Sequence, residues 1–182
     1  MFKNKFHNSY VFIVFLCTII SFIGFNVSEN ILLTYFTANN MTDFNAIGYI
    51  LMHFSHANLL HLGLNMFVLY GVLRIPFKFL NWNYKNIINF HILGILFIST
   101  SMYIYLNYFI DKPEAHLGYS ALFLSYIGYI FYIGDKSTKI SIAIQLIIFS
   151  VLFEMAANVS HIGHALGFIF GLIYGFYNPK KI

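Results

Sequence analysis

Charge is what this chain has least of. Only 9% of its 182 residues are Asp, Glu, Lys or Arg, against 59% hydrophobic residues and a mean hydropathy of +0.74. A soluble domain carries about 25% charged residues, so a water-soluble fold is excluded and an integral membrane protein is expected. Cysteine is nearly absent too. A lone Cys17, set in an apolar run, excludes an intramolecular disulfide and reads as a small buried hydrophobe. There is no phosphate-binding glycine loop, dinucleotide fingerprint or Cys-x-x-Cys pair, and no His-Glu-x-x-His metalloprotease signal. The pI near 9.1 comes from basic residues scattered between apolar runs. It therefore points to membrane orientation rather than to nucleic acid.

What the chain does have is long apolar runs. A crossing needs about 20 mostly apolar residues, and six stretches qualify: Tyr10–Val27, His56–Leu73, Ile87–Phe109, Leu117–Ile133, Ile140–Ala156 and Val159–Tyr177. Residues 28–55 are too polar to cross and read as a long outer loop with its own interfacial helix or turn. The basic start at Lys3 and Lys5 resembles a signal peptide, but no small-x-small cleavage site follows, so a retained helix is expected. Nine of the 10 basic residues fall on one side under this scheme, with Lys112 the exception. Both termini are then cytoplasmic. The expected fold class is all-α: a polytopic six-helix bundle forming one domain over residues 1–182.

Spans two, four and six run inward, and each carries polar residues near its outer start. His61 and Asn65 are four residues apart and share a helix face. Ser120 opens span four, and His164 opens span six. Gly163, Gly167, Gly171 and Gly175 form a small-residue stripe that allows close helix contact. Ala121, Ser125 and Gly128 give span four a matching face. Packing the two stripes together would bring the His164 imidazole within reach of the Ser120 hydroxyl. The chemistry of such a pair is nucleophilic acyl transfer, with histidine taking the serine proton. The carboxamide of Asn65, a ring N–H of His61 and the backbone N–H of Ser120 are candidate oxyanion donors. Gly118 leaves the backbone open to close approach. His161 competes with His164 for the base, but only His164 has glycines three and seven residues on.

These residues carry a resemblance. His56-Ala57-Asn58-Leu59-Leu60-His61-Leu62-Gly63-Leu64-Asn65, Gly118-Tyr119-Ser120, and His164 followed by Gly167 and Gly171 resemble the three signatures of rhomboid intramembrane serine proteases. The order and the helices match that family's. The resemblance implies a Ser120–His164 dyad, an oxyanion hole formed with Asn65 and His61, and a structural role for His56 in the first loop. It further implies cleavage of transmembrane protein substrates admitted sideways past the fifth helix, with no metal and no other cofactor. The chain departs from the family pattern at Ala121, usually glycine, and at Leu124, often an aromatic stacked on the histidine. The Trp-Arg pair common in the first loop is missing, and the single tryptophan is Trp82. The compact form, with no added domain, suggests a multi-pass protein of a bacterial cell membrane with its active site near the outer face.

Blander readings stand beside this one. A membrane serine is often bonded back to a carbonyl, and His61 and Asn65 can simply join helices. His53, His91 and His116 read as interfacial or loop residues without a role, Glu154 as an interfacial residue, and the many Phe and Tyr as mostly lipid-facing surface and interfacial anchors. Two other functions are open: a catalytically inactive rhomboid relative that binds membrane clients, and a metal or haem protein using the His-x-x-His pairs His53/His56 and His161/His164.

Overall fold

The computed structural model describes residues 2–80, 82–144, 146 and 160–179. Among them run α1 (Phe2–Phe25), α2 (Glu29–Phe36), β1 (Ala38–Asn39), α3 (Ala46–Leu51), α4 (Leu59–Phe79), α5 (Tyr84–Tyr108), β2 (Ala115–His116), α6 (Ser120–Ile133) and α7 (His161–Tyr177). Residues 136–144 are helical as well. Asp135 caps that stretch, its carboxylate accepting the Thr138 N–H at 2.8 Å.

Among the described residues three helices are long and apolar enough to cross a membrane: α1, α4 and α5. α6 and α7 are apolar but shorter, with 14 and 17 residues. Five of the six expected crossings thus coincide with helices. The fifth, Ile140–Ala156, lies mostly outside the described residues, as does Glu154.

The ends shift for local reasons. α1 begins at Phe2 rather than Tyr10, since an apolar run marks only part of a helix and, once nucleated, a helix gains a hydrogen bond for each residue it adds. α4 begins at Leu59 rather than His56, because the Asn58 side chain accepts the His61 N–H at 2.8 Å and caps the helix there. His56 therefore stands outside the helix that carries His61. α6 begins at Ser120 rather than Leu117, because Gly118 has φ +124 and no helix passes through such a residue.

α6 is the axis of the bundle. Twelve of its residues are buried, from Ser120 to Ile133, as expected of a helix that is apolar all round. It packs most closely on α7 and also meets α4 and α5. α1 lies outside, against α4, with Phe12, Phe15 and Phe22 more than 60% exposed. Not all aromatics face outward, however. Trp82, Phe90, Tyr126, Tyr129 and Tyr174 form an internal cluster with ring centroids 4.5–6.1 Å apart, so these rings are exceptions to a mostly lipid-facing aromatic population.

The loop expected at residues 28–55 is more ordered than its polarity suggested, holding α2, β1 and α3. β1 pairs antiparallel with β2, Ala38 opposite His116 and Asn39 opposite Ala115. Beside this ribbon the Asn40 amide donates to the Lys112 carbonyl and accepts from the Glu114 N–H, each at 2.9 Å. The long loop is thus fastened to the segment leading into α6.

Candidate active site

The site is built around the turn before α6. Gly118 takes its left-handed φ there, and its N–H donates to the Met52 carbonyl at 2.8 Å. A Cβ at Gly118 would lie 2.9 Å from His61 Cε1, 3.0 Å from His61 Nε2 and 3.5 Å from Asn65 Nδ2. Only glycine lets both side chains come this close.

Hydrogen bonding assigns the proton on His61. The Ala57 N–H donates to His61 Nδ1 at 3.4 Å, so a neutral ring carries its proton on Nε2, the nitrogen facing Gly118. Asn65 is fully buried, and among the described residues neither its amide nitrogen nor its amide oxygen has a hydrogen-bond partner. Leaving such groups unmade costs about 1–3 kcal/mol. Two donors, one of them held without a partner, therefore converge on the residue two before Ser120.

Ser120 is the first residue of α6 and is 7% exposed. His164 is in the first turn of α7, which Ser160 caps by accepting the Gly163 N–H at 3.1 Å. Backbone contact brings these helices together. A Cβ at Gly167 would stand 2.0 Å from the Ala121 carbonyl oxygen, and one at Gly171 would stand 2.1 Å from that of Ser125. The two stripes expected to mate do mate, and they seat His164 one turn from the contact that holds Ala121. Ser120 and His164 line one cleft of about 20 Å³, together with His53, His116, Gly118, Ser160 and Gly163. That is room for a single water molecule.

The match extends past this geometry. The family model described as Rhomboid domain covers residues 43–181. The protein belongs to the rhomboid family. No curated protein matches the chain.

In this rhomboid the histidines read as roleless have partners. His53, fully buried, meets Ser99 Oγ through Nε2 at 3.1 Å. His91 bonds Tyr119, as described below. His116 lies on the cleft, 3.1 Å from a Glu114 carboxylate oxygen; burial pushes its pKa down, against the upward pull of that carboxylate. His56 meets Ser21 Oγ through Nδ1 at 3.0 Å and accepts the Tyr119 N–H on Nε2 at 3.5 Å. The His53/His56 pair is thus engaged with separate partners. Among the described residues no three His, Cys, Asp or Glu side chains gather as a metal site requires. Apart from the His116–Glu114 pair, sequence could not show these ties, since each joins residues at least 28 positions apart.

Proposed function

We propose that this rhomboid is an intramembrane serine endopeptidase that cleaves transmembrane proteins. Ser120 Oγ attacks the scissile carbonyl while His164 takes its proton, and the same imidazole then protonates the departing amine. Asn65 Nδ2 and His61 Nε2–H donate to the oxyanion, joined by the N–H of Ser120, one of the donors left open at a helix start. Water admitted to the cleft hydrolyses the acyl-enzyme. Gly118 keeps the approach open, and Gly167 and Gly171 hold the base beside the nucleophile. His56 steadies the turn. The chain forms one domain over residues 1–182 that crosses the cell membrane six times, with cytoplasmic termini and the site toward the outer face.

The observation that carries this reading is the convergence of His61 and the unpartnered Asn65 amide on the positive-φ glycine beside Ser120. A buried carboxamide with nothing to bond is a standing loss to stability, and an oxyanion that arrives only during reaction explains it. The test is cleavage of a model single-span substrate in liposomes, with a serine-directed fluorophosphonate probe alongside. Wild type is expected to cleave and to label; Ser120→Ala and His164→Ala should do neither. Equal cleavage by Ser120→Ala would refute the assignment. A folded wild type that neither cleaves nor labels would instead favour an inactive client-binding relative.

A further inference from the structure

The start of α6 lacks a side-chain cap: Tyr119 holds the N-cap position with φ −71 and ψ −7, and its side chain makes no capping bond. Helices commonly fix their starts with Ser, Thr, Asp or Asn. Here the orientation of the turn that carries Ser120 must come from elsewhere, and Tyr119 supplies two ties. Its backbone N–H reaches His56 Nε2, and its hydroxyl meets His91 Nε2 on α5. The side chain is wholly buried, with its ring against Phe54. A phenol in an apolar interior needs a partner for its O–H, and His91 provides it.

The proton arrangement is determined. His91 Nδ1 lies 2.8 Å from the Ile87 carbonyl, one turn earlier on the same helix. A carbonyl only accepts, so Nδ1 carries the ring proton, and Nε2 offers its lone pair to the Tyr119 O–H. The Tyr126 hydroxyl oxygen, about two helical turns further along α6 toward its C-terminus, lies 3.3 Å from that Nδ1. The imidazole is therefore oriented by α5 and grips α6 at the residue next to the nucleophile.

We propose that Tyr119 and His91 are positioning residues, forming a latch between α5 and α6 that sets where the Ser120 hydroxyl stands relative to the cleft. The inference rests on the protease reading for its kinetic consequence, though not for its geometry. Neither residue is among those lining the cleft, so release of the latch moves the nucleophile and leaves substrate binding alone. A displacement of about 1 Å in a reacting group costs up to about 10²-fold in rate.

The experiment uses the full chain in liposomes. Tyr119→Phe deletes only the hydroxyl and is expected to lower kcat about tenfold or more, with KM within about twofold. His91→Leu should do the same, and His91→Gln, whose amide oxygen can accept the phenolic proton, should recover part of the loss. The Tyr119→Phe/His91→Leu pair should be no slower than His91→Leu alone, because the two act as one unit. Tyr129→Phe is the control; its hydroxyl lies at the far end of α6 and donates to the Asn178 carbonyl, and its kcat should not change. A second readout needs no catalysis. In a Ser120→Cys protein, where the only other thiol, Cys17, is fully buried, adding Tyr119→Phe should change the alkylation rate by a small haloacetamide about threefold or more. Wild-type kcat in Tyr119→Phe, additive losses in the pair, or an equal loss in Tyr129→Phe would overturn the latch. So would an unaltered alkylation rate. If wild type fails to cleave while alkylation still responds to Tyr119→Phe, the protease reading falls and the latch stands.

Discussion

α6 meets α7 backbone to backbone, with glycines where side chains would otherwise intervene. On its other flank, Ile127 and Ile130 of α6 face a cavity of about 640 Å³, bounded by Phe67–Ile75 of α4 and by Ser137, Thr138, Ser141, Ile142 and Leu146. One flank has no room for a methyl group; the other has room for several side chains. The proposed nucleophile and base sit on the tight flank, where an error of an ångström would separate them. Apolar driving force between helices is weak inside a bilayer, so such precision has to come from close van der Waals contact.

The same substitution on the two flanks should break this contrast if it is wrong. Gly167→Ala places a methyl 2.0 Å from the Ala121 carbonyl oxygen, and nothing on a backbone can fold away. It should destabilise by more than about 2 kcal/mol and abolish cleavage, read as a fall in detergent melting temperature together with lost turnover. A variant that melts and cleaves like wild type would show that the seam is not rigid.

Asn65→Leu sharpens the comparison by separating stability from activity. It removes two buried polar atoms that lack partners, so the melting temperature should rise, by up to about 1–3 kcal/mol in stability. Turnover should fall roughly 10²–10³-fold. A variant both less stable and fully active would contradict the assigned role.

Gly71→Ala, on the cavity flank, is the counterpart to the seam variant. A Cβ there meets nothing within 4 Å, and alanine favours a helix over glycine by up to about 1 kcal/mol. Slightly raised melting and turnover within about twofold are expected; a loss like that of Gly167→Ala would erase the distinction between the flanks.

The smallest effect is one of pH. His116 has a pKa below the ordinary histidine value in the folded protein, so below about pH 6.5 the unfolded chain binds more protons than the folded one. Stability should therefore be full above that pH and decline as the pH falls through the usual histidine range. Glu114→Gln removes the carboxylate that opposes the shift and should steepen the acid loss, measured by melting between about pH 7 and pH 5. A flat profile in both proteins would remove His116 from the account.

Much of this was legible because it is local and periodic. The four-residue spacing of His61 and Asn65, the glycine stripe from Gly163 to Gly175 and the small face of α6 are helical repeats, and each reappears in the contacts. The Asn58 cap was readable in principle: an asparagine directly before an apolar run marks a helix start, yet the run itself suggested His56. What escaped was set by distant partners. His91 and Tyr119 lie 28 residues apart, and nothing in either neighbourhood announces the other. The inward ring cluster around Trp82 was not legible either, because composition cannot tell an inward aromatic from an outward one.

The ribbon of β1 and β2 bears on how the molecule is made. Asn40 and Glu114, which it brings together, are separated by 74 residues, and the whole of α4 and α5 lies between them. Closing so large a loop is paid for before any contact is gained. During synthesis the ribbon therefore cannot form until the third long helix has left the ribosome and the strand behind it has turned back, so residues 38–40 wait unfastened while α4 and α5 are made.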